Sequence, residues 1–404
     1  MEQERAVVER VFREEYGRVI ASLVRRFGDI EVAEDAAGEA FVSALENWPV
    51  AGVPPNPGGW LTTTAGNRAI DRLRREKQRD AKHRAAVMTY EDATPHEPTG
   101  PVEDDRLRLI FTCCHPALAP EARIALTLRL LGGLSVAEVA RAFLVAETTM
   151  AQRITRAKKK IAGAKVPYRV PGSADLPERL DGVLMVLFLI FNEGYLATGA
   201  GDPVRLELTG EAIRLARVLR QLLPTEPEVA GLLGLMLLTE ARRGARVRNG
   251  QLVPLDEQDR GGWDRALIAE GHDLVRECLA ANRPGCYQLL AAVNAVHTDA
   301  VTAADTDWAQ IVTLYDHLAG MDPSPIVALN RAVAVAELDG PDAALALVDR
   351  LPLTGYHPWH ATRADLLRRL GRSTDAKHAY DAAIAATQNS AVRAYLSRKR
   401  GEIV

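Results

Sequence analysis

Cysteines, aromatic residues and long apolar runs are all scarce in this sequence. Its four cysteines include no CxxC pair, which argues against a disulfide scaffold and the usual zinc spacings and fits a reducing compartment. The most apolar stretch, Val183 to Phe191, is too short for the ~20 residues of a bilayer-spanning helix. The charged N-terminus lacks the apolar core of a secretory signal. We therefore expect a cytoplasmic protein without a membrane segment.

The chain also has no excess of positive charge, because its 50 Lys and Arg residues are balanced by 53 Asp and Glu residues. Nucleic-acid binding therefore has to be sought in local clusters. The 404 residues suggest two to four domains, and a content of 47% hydrophobic and 25% charged residues is that of an ordinary globular protein. Because Ala, Leu and Arg abound and apolar residues recur at helical spacing, an all-α fold is predicted.

Stretches rich in Pro, Gly and acidic residues divide the chain into four predicted segments. Two small helical domains, residues 1–84 and 105–168, are separated by a linker over 85–104 that contains TPHEPTGPVEDD. A helical domain over 169–404 follows, in which only GQLVPL suggests a strand. Part of this domain follows the spacing of a tetratricopeptide unit, with a generic helical bundle as the alternative; the residues are Ala364, Leu367, Gly371, Ala376, Tyr380 and Ala383.

The first basic cluster lies on the predicted helix from Trp60 to Arg84. Four arginines three to four residues apart share one helical face: Arg68, Arg72, Arg75 and Arg79. Such a face can neutralise several backbone phosphates. Asn67 carries both a donor and an acceptor, which reading a base edge requires. The alternative is a solvated helix with intrahelical ion pairs, such as Arg72 with Glu76.

The second basic cluster ends a predicted helix-turn-helix between Leu134 and Lys165. Ser135 and Glu138 have the spacing of a capping box, and a short turn separates this helix from the next. Met150 and Ile154 are predicted to face inward, and four residues to face outward: Gln152, Arg153, Arg156 and Lys159. A polar start and a basic tail suit a helix that enters the major groove. An unrelated helical hairpin is the alternative.

Together these segments resemble the extracytoplasmic-function sigma factors of bacteria, which keep only sigma regions 2 and 4. The segment AEDAAGEAFVSALENW is similar to the helix that docks on the β′ clamp of core RNA polymerase. The resemblance implies a core-binding role for Asp35, Phe41 and Leu45. This role is implied by the family likeness and not by the spacing of the three residues.

The DNA contacts that the resemblance implies fall on both clusters. The segment GGWLTTTAGNRAIDRLRR is similar to the helices that melt and read the −10 element, and VPPNPGG lies where a loop captures a flipped base. Residues 134–160 resemble the region 4 helix-turn-helix, which reads the −35 element and touches the β flap. Ala151 departs from the Lys or Arg of many members. The implied −10 residues are Trp60, Asn67, Arg68, Asp71, Arg72, Arg74 and Arg75. The implied −35 residues are Thr148, Thr149, Gln152, Arg153, Arg156, Lys158 and Lys159.

Five further motifs resemble a subgroup with a C-terminal tetratricopeptide-like domain: FTCCHPAL, FNEGY, EQDRGGW, TDWAQIVTLYD and LNRAVAVAEL. The likeness implies that this domain takes part in controlling the sigma factor. Its candidate motif residues are Asn192, Glu193, Tyr195, Asp259 and Arg260. They suggest either a ligand or catalytic site, or structural hydrogen bonds and ion pairs. Cys113, Cys114 and His115 suggest a buried structural group, with a metal site or a thiol switch as alternatives.

The expected function is that of a sigma factor without catalytic residues, metal or cofactor. Its expected partners are core RNA polymerase, promoter DNA, and a protein or peptide at the C-terminal domain. The alternative is a helix-turn-helix regulator that acts without core polymerase, with a helical sensor domain that binds a ligand or a protein.

Overall fold

A computed structural model describes residues 2–84, 105–143, 145–164, 166–195, 206–248, 251–387 and 389–403. These residues form α-helices throughout, with one two-stranded antiparallel pair, and divide into two compact units, Met1–Leu189 and Ile190–Val404. The prediction of an all-α fold is confirmed. The predicted linker, 85–104, lies outside the described residues. Within the described ranges, no helix has the length and apolarity that crossing a membrane requires.

The first unit contains two helical modules. The N-terminal module consists of α1 (Glu2–Phe27), α2 (Ile30–Ala51) and α3 (Pro57–Arg84). The second module consists of α4 (Asp105–Cys113), α5 (Pro120–Leu130), α6 (Val136–Ala142) and α7 (Glu147–Gly163). The next helix, α8 (Leu176–Tyr195), crosses the boundary between the units.

Helix α2 shows how local sequence sets the ends of a helix. The Asp29 side chain accepts hydrogen bonds from the backbone N–H groups of Glu31 (2.7 Å) and Val32 (3.1 Å) and so caps the N-terminus. At the other end Gly52, with φ 83°, donates its N–H to the Trp48 carbonyl oxygen. Between the caps, the alanines face the interior of the module and let α2 lie close to α1 and α3.

The two modules pack directly on each other through α1. A Cβ atom on Gly17 would meet the Leu131 carbonyl oxygen at 2.9 Å, so only glycine permits this approach of α1 to the end of α5. Tyr168 donates its hydroxyl to the carbonyl oxygens of Ala21 (2.8 Å) and Asp105 (3.2 Å). Although a linker separates the modules in sequence, they form one compact body.

The first half of α8 belongs to this body, although the sequence places 169–189 in the C-terminal domain. Arg179 donates Nη2 to the Phe111 carbonyl oxygen at 2.7 Å, and its guanidinium lies 5.9 Å from the centroid of the Phe111 ring. These contacts attach the start of α8 to the second module. The compact units therefore divide at 189/190.

The second unit is built from packed helical pairs around the buried helix α10, which contacts α9, α12 and α13. Its helices are α9 (Leu206–Leu222), α10 (Pro227–Glu240), α11 (Arg243–Arg246), α12 (Arg265–Ala281), α13 (Cys286–Asp299), α14 (Trp308–Met321), α15 (Pro325–Leu338), α16 (Pro341–Val348), α17 (His357–Arg369), α18 (Ser373–Ala385) and α19 (Ser390–Gly401). The strand β1 (Val247–Arg248) pairs antiparallel with β2 (Gln251–Leu252), so a strand does occur within GQLVPL.

The hairpin α17–α18 has the small-residue packing that the tetratricopeptide spacing predicts. Ala364, Ala376 and Ala383 are fully buried between the two helices, with Leu367 and Tyr380 filling the remaining space. Gly371 reverses the chain with φ 73°, in the left-handed region that favours glycine. The preceding pair, α15 and α16, is joined to it because Trp359 donates Nε1 to the Val348 carbonyl oxygen at 2.8 Å.

We expect Ala383→Leu to lower the free energy of unfolding by about 2 kcal/mol, because the added methyl groups overpack the contact between α17 and α18. The matched control is Ala385→Leu on the exposed side of the same helix, which should stay within about 0.5 kcal/mol of the parent. Thermal unfolding followed by circular dichroism compares the two. Equal melting of both variants would contradict this packing.

Candidate nucleic-acid interface

Helix α3 presents part of its predicted DNA-binding surface to solvent. Asn67, Asp71, Arg74 and Arg75 are exposed. Arg75 donates Nε to the Asp71 carbonyl oxygen at 3.2 Å, and neither Arg74 nor Arg75 is paired with a carboxylate among the described residues. At the start of the helix, half-buried Trp60 packs edge-on against Trp48, with ring centroids 5.5 Å apart. This surface offers an amide, two guanidinium groups and an aromatic ring.

Arg68 and Arg72 lie instead against α2. Arg68 donates Nη2 to the Ser43 hydroxyl at 3.3 Å, and its Nε lies 3.8 Å from a Glu39 carboxylate oxygen. Arg72 forms an ion pair with Asp35. The alternative drawn from the sequence was an ion pair between Arg72 and Glu76 within α3. The side chains of Glu76 and Arg79 lie outside the described residues. Two predicted −10 residues therefore contact the helix that carries the predicted polymerase-docking residues.

The exposed side of α2 differs from the predicted docking face. Phe41 is buried between Phe12 and Tyr16, at centroid distances of 4.6 and 5.9 Å, so it belongs to the core of the module. Leu45 is 46% exposed, and Val42, absent from the prediction, is 55% exposed on the same side. The family likeness implied one role for Phe41 and Leu45, but the residue that shares the exposed side with Leu45 is Val42, three positions before it.

The helix-turn-helix forms as the sequence predicts. Ser135 and Glu138 make both hydrogen bonds of a capping box, at 2.7 and 3.2 Å, at the start of α6. Helix α7 begins at Glu147, just before Thr148 and Thr149, either of which the sequence suggests as its start. Its buried side consists of Met150, Ile154, Ala157 and Ile161. Most predicted −35 residues are exposed or half-buried on the other side: Thr148, Thr149, Gln152, Arg153, Arg156 and Lys159.

Lys158 is the exception, because it is ion-paired with Glu34 of α2. Arg129 of α5 places its Nε 2.8 Å from the other Glu34 carboxylate oxygen. Glu34 is 6% exposed, so a buried carboxylate of the N-terminal module holds two cations of the second module. Glu34 lies within the segment AEDAAGEAFVSALENW and Arg129 lies outside the quoted motifs. Sequence reasoning missed their pairing because only the fold brings them together.

A cleft of ≈ 760 Å³ lies beside this ion cluster, between α2, α3 and α7. The wall from the N-terminal module carries Glu34, Asp35, Glu39 and Glu46 together with Arg68 and Arg72. The facing wall is formed by α7 residues, including Ala151, Thr155 and Lys158. The acidic side of α2 thus faces one edge of the basic helix α7.

Comparisons with known proteins identify both helical modules of the first unit. Family models for sigma-70 region 2 and sigma-70 region 4 match residues 11–79 and 108–161. The chain belongs to the sigma-70 family. A third model, a family of unknown function (DUF6596), matches residues 179–279. An uncharacterized protein of Rhizobium meliloti (strain 1021) is 42% identical over 387 residues, which cover 94% of this chain and 92% of that protein. No solved structure matches.

The N-terminal module is therefore sigma region 2, and the second module is sigma region 4. The chain has the architecture of an extracytoplasmic-function sigma factor with an extra C-terminal helical domain. Members of the sigma-70 family are transcription initiation factors, so the family accounts for the helix-turn-helix of region 4 and for the basic helix α3 of region 2. The helices α9–α19 fall outside both sigma regions.

Cys113 and Cys114 are buried at the entry to region 4. The Cys114 sulfur lies 3.6 Å from the Thr127 hydroxyl, and burial raises the pKa of the Cys114 thiol to about 11. Because a thiol rather than a thiolate is present at neutral pH, this geometry favours the structural interpretation over a metal site or a thiol switch. His115 accepts a hydrogen bond from the Ala117 N–H at 3.1 Å and so shapes the turn that follows.

The predicted C-terminal motif residues do not all share one site. Tyr195 stacks on Phe191 at 5.9 Å and lies under the guanidinium of Arg246. Arg260 is buried, whereas Asp259 only caps the following turn by accepting the Gly261 N–H at 2.9 Å. Asn192 is exposed and Glu193 half-buried. Of these residues, Tyr195 and Arg260 take part in the buried polar packing of the second unit.

We expect Glu34→Gln to lower the free energy of opening of α7 by about 2 kcal/mol, because Arg129 and Lys158 then share no carboxylate. A fully buried pair would lose about 3–5 kcal/mol, but both cations keep some contact with water. Amide hydrogen exchange in α2 and α7 measures the change. Glu31→Gln on the exposed side of α2 is the matched control. Unchanged protection of α7 in Glu34→Gln would show that the ion cluster does not hold region 4.

Proposed function

We propose that this chain binds core RNA polymerase through the exposed side of α2 and directs it to promoters. The observation that carries the proposal is the surface of α2, where exposed Val42 and Leu45 stand beside the carboxylates of Asp35 and Glu39. An exposed apolar pair rimmed by charge is typical of a protein contact. Because polymerase and promoter DNA are in the bacterial cytoplasm, the protein acts there.

In this proposal α3 reads and holds the −10 element. Asn67 offers a donor and an acceptor to an unstacked base, and Trp60 offers a ring on which a base can stack. Arg74 and Arg75 are exposed for backbone phosphates. Arg68 and Arg72 can contact backbone phosphates only after their ion pairs with Glu39 and Asp35 have broken. Binding of α2 to polymerase would favour the breaking of these ion pairs by engaging the same acidic side chains.

Helix α7 would read the −35 element through the side opposite its buried residues. Gln152 and Arg156 lie one turn apart on that side, where they can reach base edges in the major groove. Thr148 and Lys159 extend the same side toward the phosphates. The neutral Ala151 faces the cleft beside α2, so this departure from the family pattern falls away from the proposed DNA surface.

Regions 2 and 4 must separate for both elements to be read. Helix α7 is ion-paired to α2, and α2 packs on α3, which brings the two DNA-binding helices to roughly 20 Å from each other. The elements lie about 25 base pairs apart, or roughly 85 Å of duplex. We therefore propose that the Glu34 cluster breaks when polymerase binds, and that the closed form binds promoters poorly.

The C-terminal helical domain would set the activity of the sigma regions. Stacked helical pairs such as α15–α18 provide surfaces on which repeat proteins bind partners. The alternative, a regulator that acts without polymerase, predicts tight and specific binding of free duplex promoters. The closed contact between α7 and α2 favours the sigma mechanism, because it leaves the free protein unable to reach both elements.

We expect Leu45→Asp to reduce the affinity for core polymerase by about tenfold or more, since an apolar contact is replaced by a charge that has to be desolvated. The fold should be unaffected, because Leu45 is exposed. Leu279→Asp, at an exposed leucine of α12, is the control. Fluorescence anisotropy with bacterial core polymerase measures binding. Equal affinities of the two variants would remove α2 as the docking surface.

We expect purified full-length protein to make core polymerase start transcription at defined sites on genomic DNA fragments, as read by sequencing transcript 5′ ends. Gln152→Ala should relax the base preference around −35 by about 1–3 kcal/mol, and Arg156→Ala should weaken it further. Arg372→Gln in the second unit is the control. Specific nanomolar binding of duplex by the free protein, with no dependence on polymerase, would instead support the regulator alternative.

A further inference from the structure

Three motifs of the C-terminal half that the sigma regions do not use meet at one place in the second unit. FNEGY contributes Tyr195, EQDRGGW contributes Arg260 and Trp263, and TDWAQIVTLYD contributes Thr306. Arg260 places Nη2 3.5 Å from the Thr306 hydroxyl, which joins two of the motifs directly. Helices α10 and α13 run through the same place and add further polar side chains. This convergence has no role in the proposed promoter binding.

Arg242, just after α10, is a buried cation of this cluster. Its side chain is 9% exposed, and its Nη2 donates to the Asn294 amide oxygen at 2.6 Å. Within the described ranges its Nε has no hydrogen-bond partner. Burial lowers the pKa of the guanidinium. A buried N–H donor without an acceptor costs free energy. The Nε–H group of Arg242 is therefore the first indication that a ligand binds here.

Arg260 repeats this pattern at the C-terminal end of α13. It is also 9% exposed, and its Nη1 donates to the carbonyl oxygens of His297 and Ala300, both at 2.7 Å. Its guanidinium lies 4.8 Å from the Trp263 ring centroid. Its Nε also has no partner among the described residues. Burial and the nearby Arg242 lower the pKa of Arg260.

Arg246 completes a set of three guanidinium groups. It lies 3.6 Å from the centroid of the Tyr195 ring and donates Nη1 to the Tyr195 carbonyl oxygen at 3.2 Å. It is half-buried, as is His297, so the cluster reaches solvent at these residues. Burial together with Arg242 and Arg260 lowers the pKa of His297 to about 4, which leaves its ring neutral at pH 7.

The three arginines form no hydrogen bond or ion pair with a carboxylate anywhere in the described chain; their acceptors are neutral oxygens. Two nearby carboxylates are engaged elsewhere. Glu240 is ion-paired with Arg243 and accepts from the Thr209 hydroxyl at 3.3 Å. Asp305 accepts from both the N–H (2.9 Å) and the hydroxyl (2.7 Å) of Thr302. The charge of Asp305 still offsets part of the lowering of the Arg260 pKa, so one carboxylate stands near three partly desolvated cations. The remaining excess of positive charge favours the binding of an anion.

We infer that Arg242, Arg246 and Arg260 form a binding site for the oxyanion group of a small molecule, a phosphate or a carboxylate. Guanidinium groups bind both with paired N–H donors, and a site with a neutral His297 and the Tyr195 and Trp263 rings can also hold an attached organic group. The site makes the C-terminal domain a receptor for a metabolite. Its binding requires neither polymerase nor DNA, so its failure leaves the sigma assignment intact.

The test is calorimetric titration of the full-length protein with inorganic phosphate and, separately, with malonate, at an ionic strength held constant with KCl. We expect one of the two probes to bind with a stoichiometry of one. Arg246→Gln should weaken that binding by about tenfold or more, whereas Arg276→Gln, at an exposed arginine of α12 that pairs with Asp273, should not change it. Binding of phosphate alone assigns a phosphorylated ligand, and binding of malonate alone a carboxylate ligand. Binding of neither probe, or equal binding by both variants, would overturn the inference.

A second measurement needs no substitution and so does not depend on the folding of a variant. Phenylglyoxal modifies accessible arginines, and peptide mass spectrometry gives the extent at each one. We expect the effective probe to slow modification of Arg246 by about tenfold and to leave the exposed Arg276 unchanged. Equal modification of Arg246 with and without the probe would contradict the site.

Discussion

A buried carboxylate, Glu34, fixes helix α7 of sigma region 4 against α2 of sigma region 2, in addition to the packing of both regions on α1. Glu34 lies on α2, the helix that we propose docks on core polymerase, and is ion-paired with Lys158 of α7 and with Arg129 of region 4. With both cations in place, the carboxylate can be buried. The same contact fixes α7 beside α2, and so decides which side of the recognition helix is free and which residues line the cleft.

Much of this arrangement follows from local sequence, and the rest depends on contacts between distant segments. The capping box at Ser135, the inward positions of Met150 and Ile154, and the alanine packing of α17 and α18 are set by spacing within one or two helices, and the sequence predicts them. Phe41 shows the limit of such prediction, because the sequence of a helix does not reveal whether an apolar residue faces the interior or a partner protein. The pairing of Glu34 with Lys158, 124 positions later, has no local signal.

The two halves of the protein use arginine in different ways. In the sigma regions most arginines are exposed or paired with carboxylates, as Arg72 is with Asp35. In the second unit Arg242 and Arg260 are buried among neutral acceptors. The motif residues gather around these buried cations, so the sequence signals of the C-terminal half reflect a polar interior that spacing could not predict. A metabolite bound there would give the sigma factor an internal source of control.

The most direct measurement of the central claim is the distance between regions 2 and 4 in the free protein and in a complex with core polymerase and promoter. Spin labels at Thr63→Cys on α3 and Ala162→Cys on α7 occupy exposed positions, and the native cysteines are buried or half-buried. The account predicts a short distance in the free protein and one above roughly 50 Å in the complex, as the spacing of the promoter elements requires. The same short distance in a transcribing complex would contradict it.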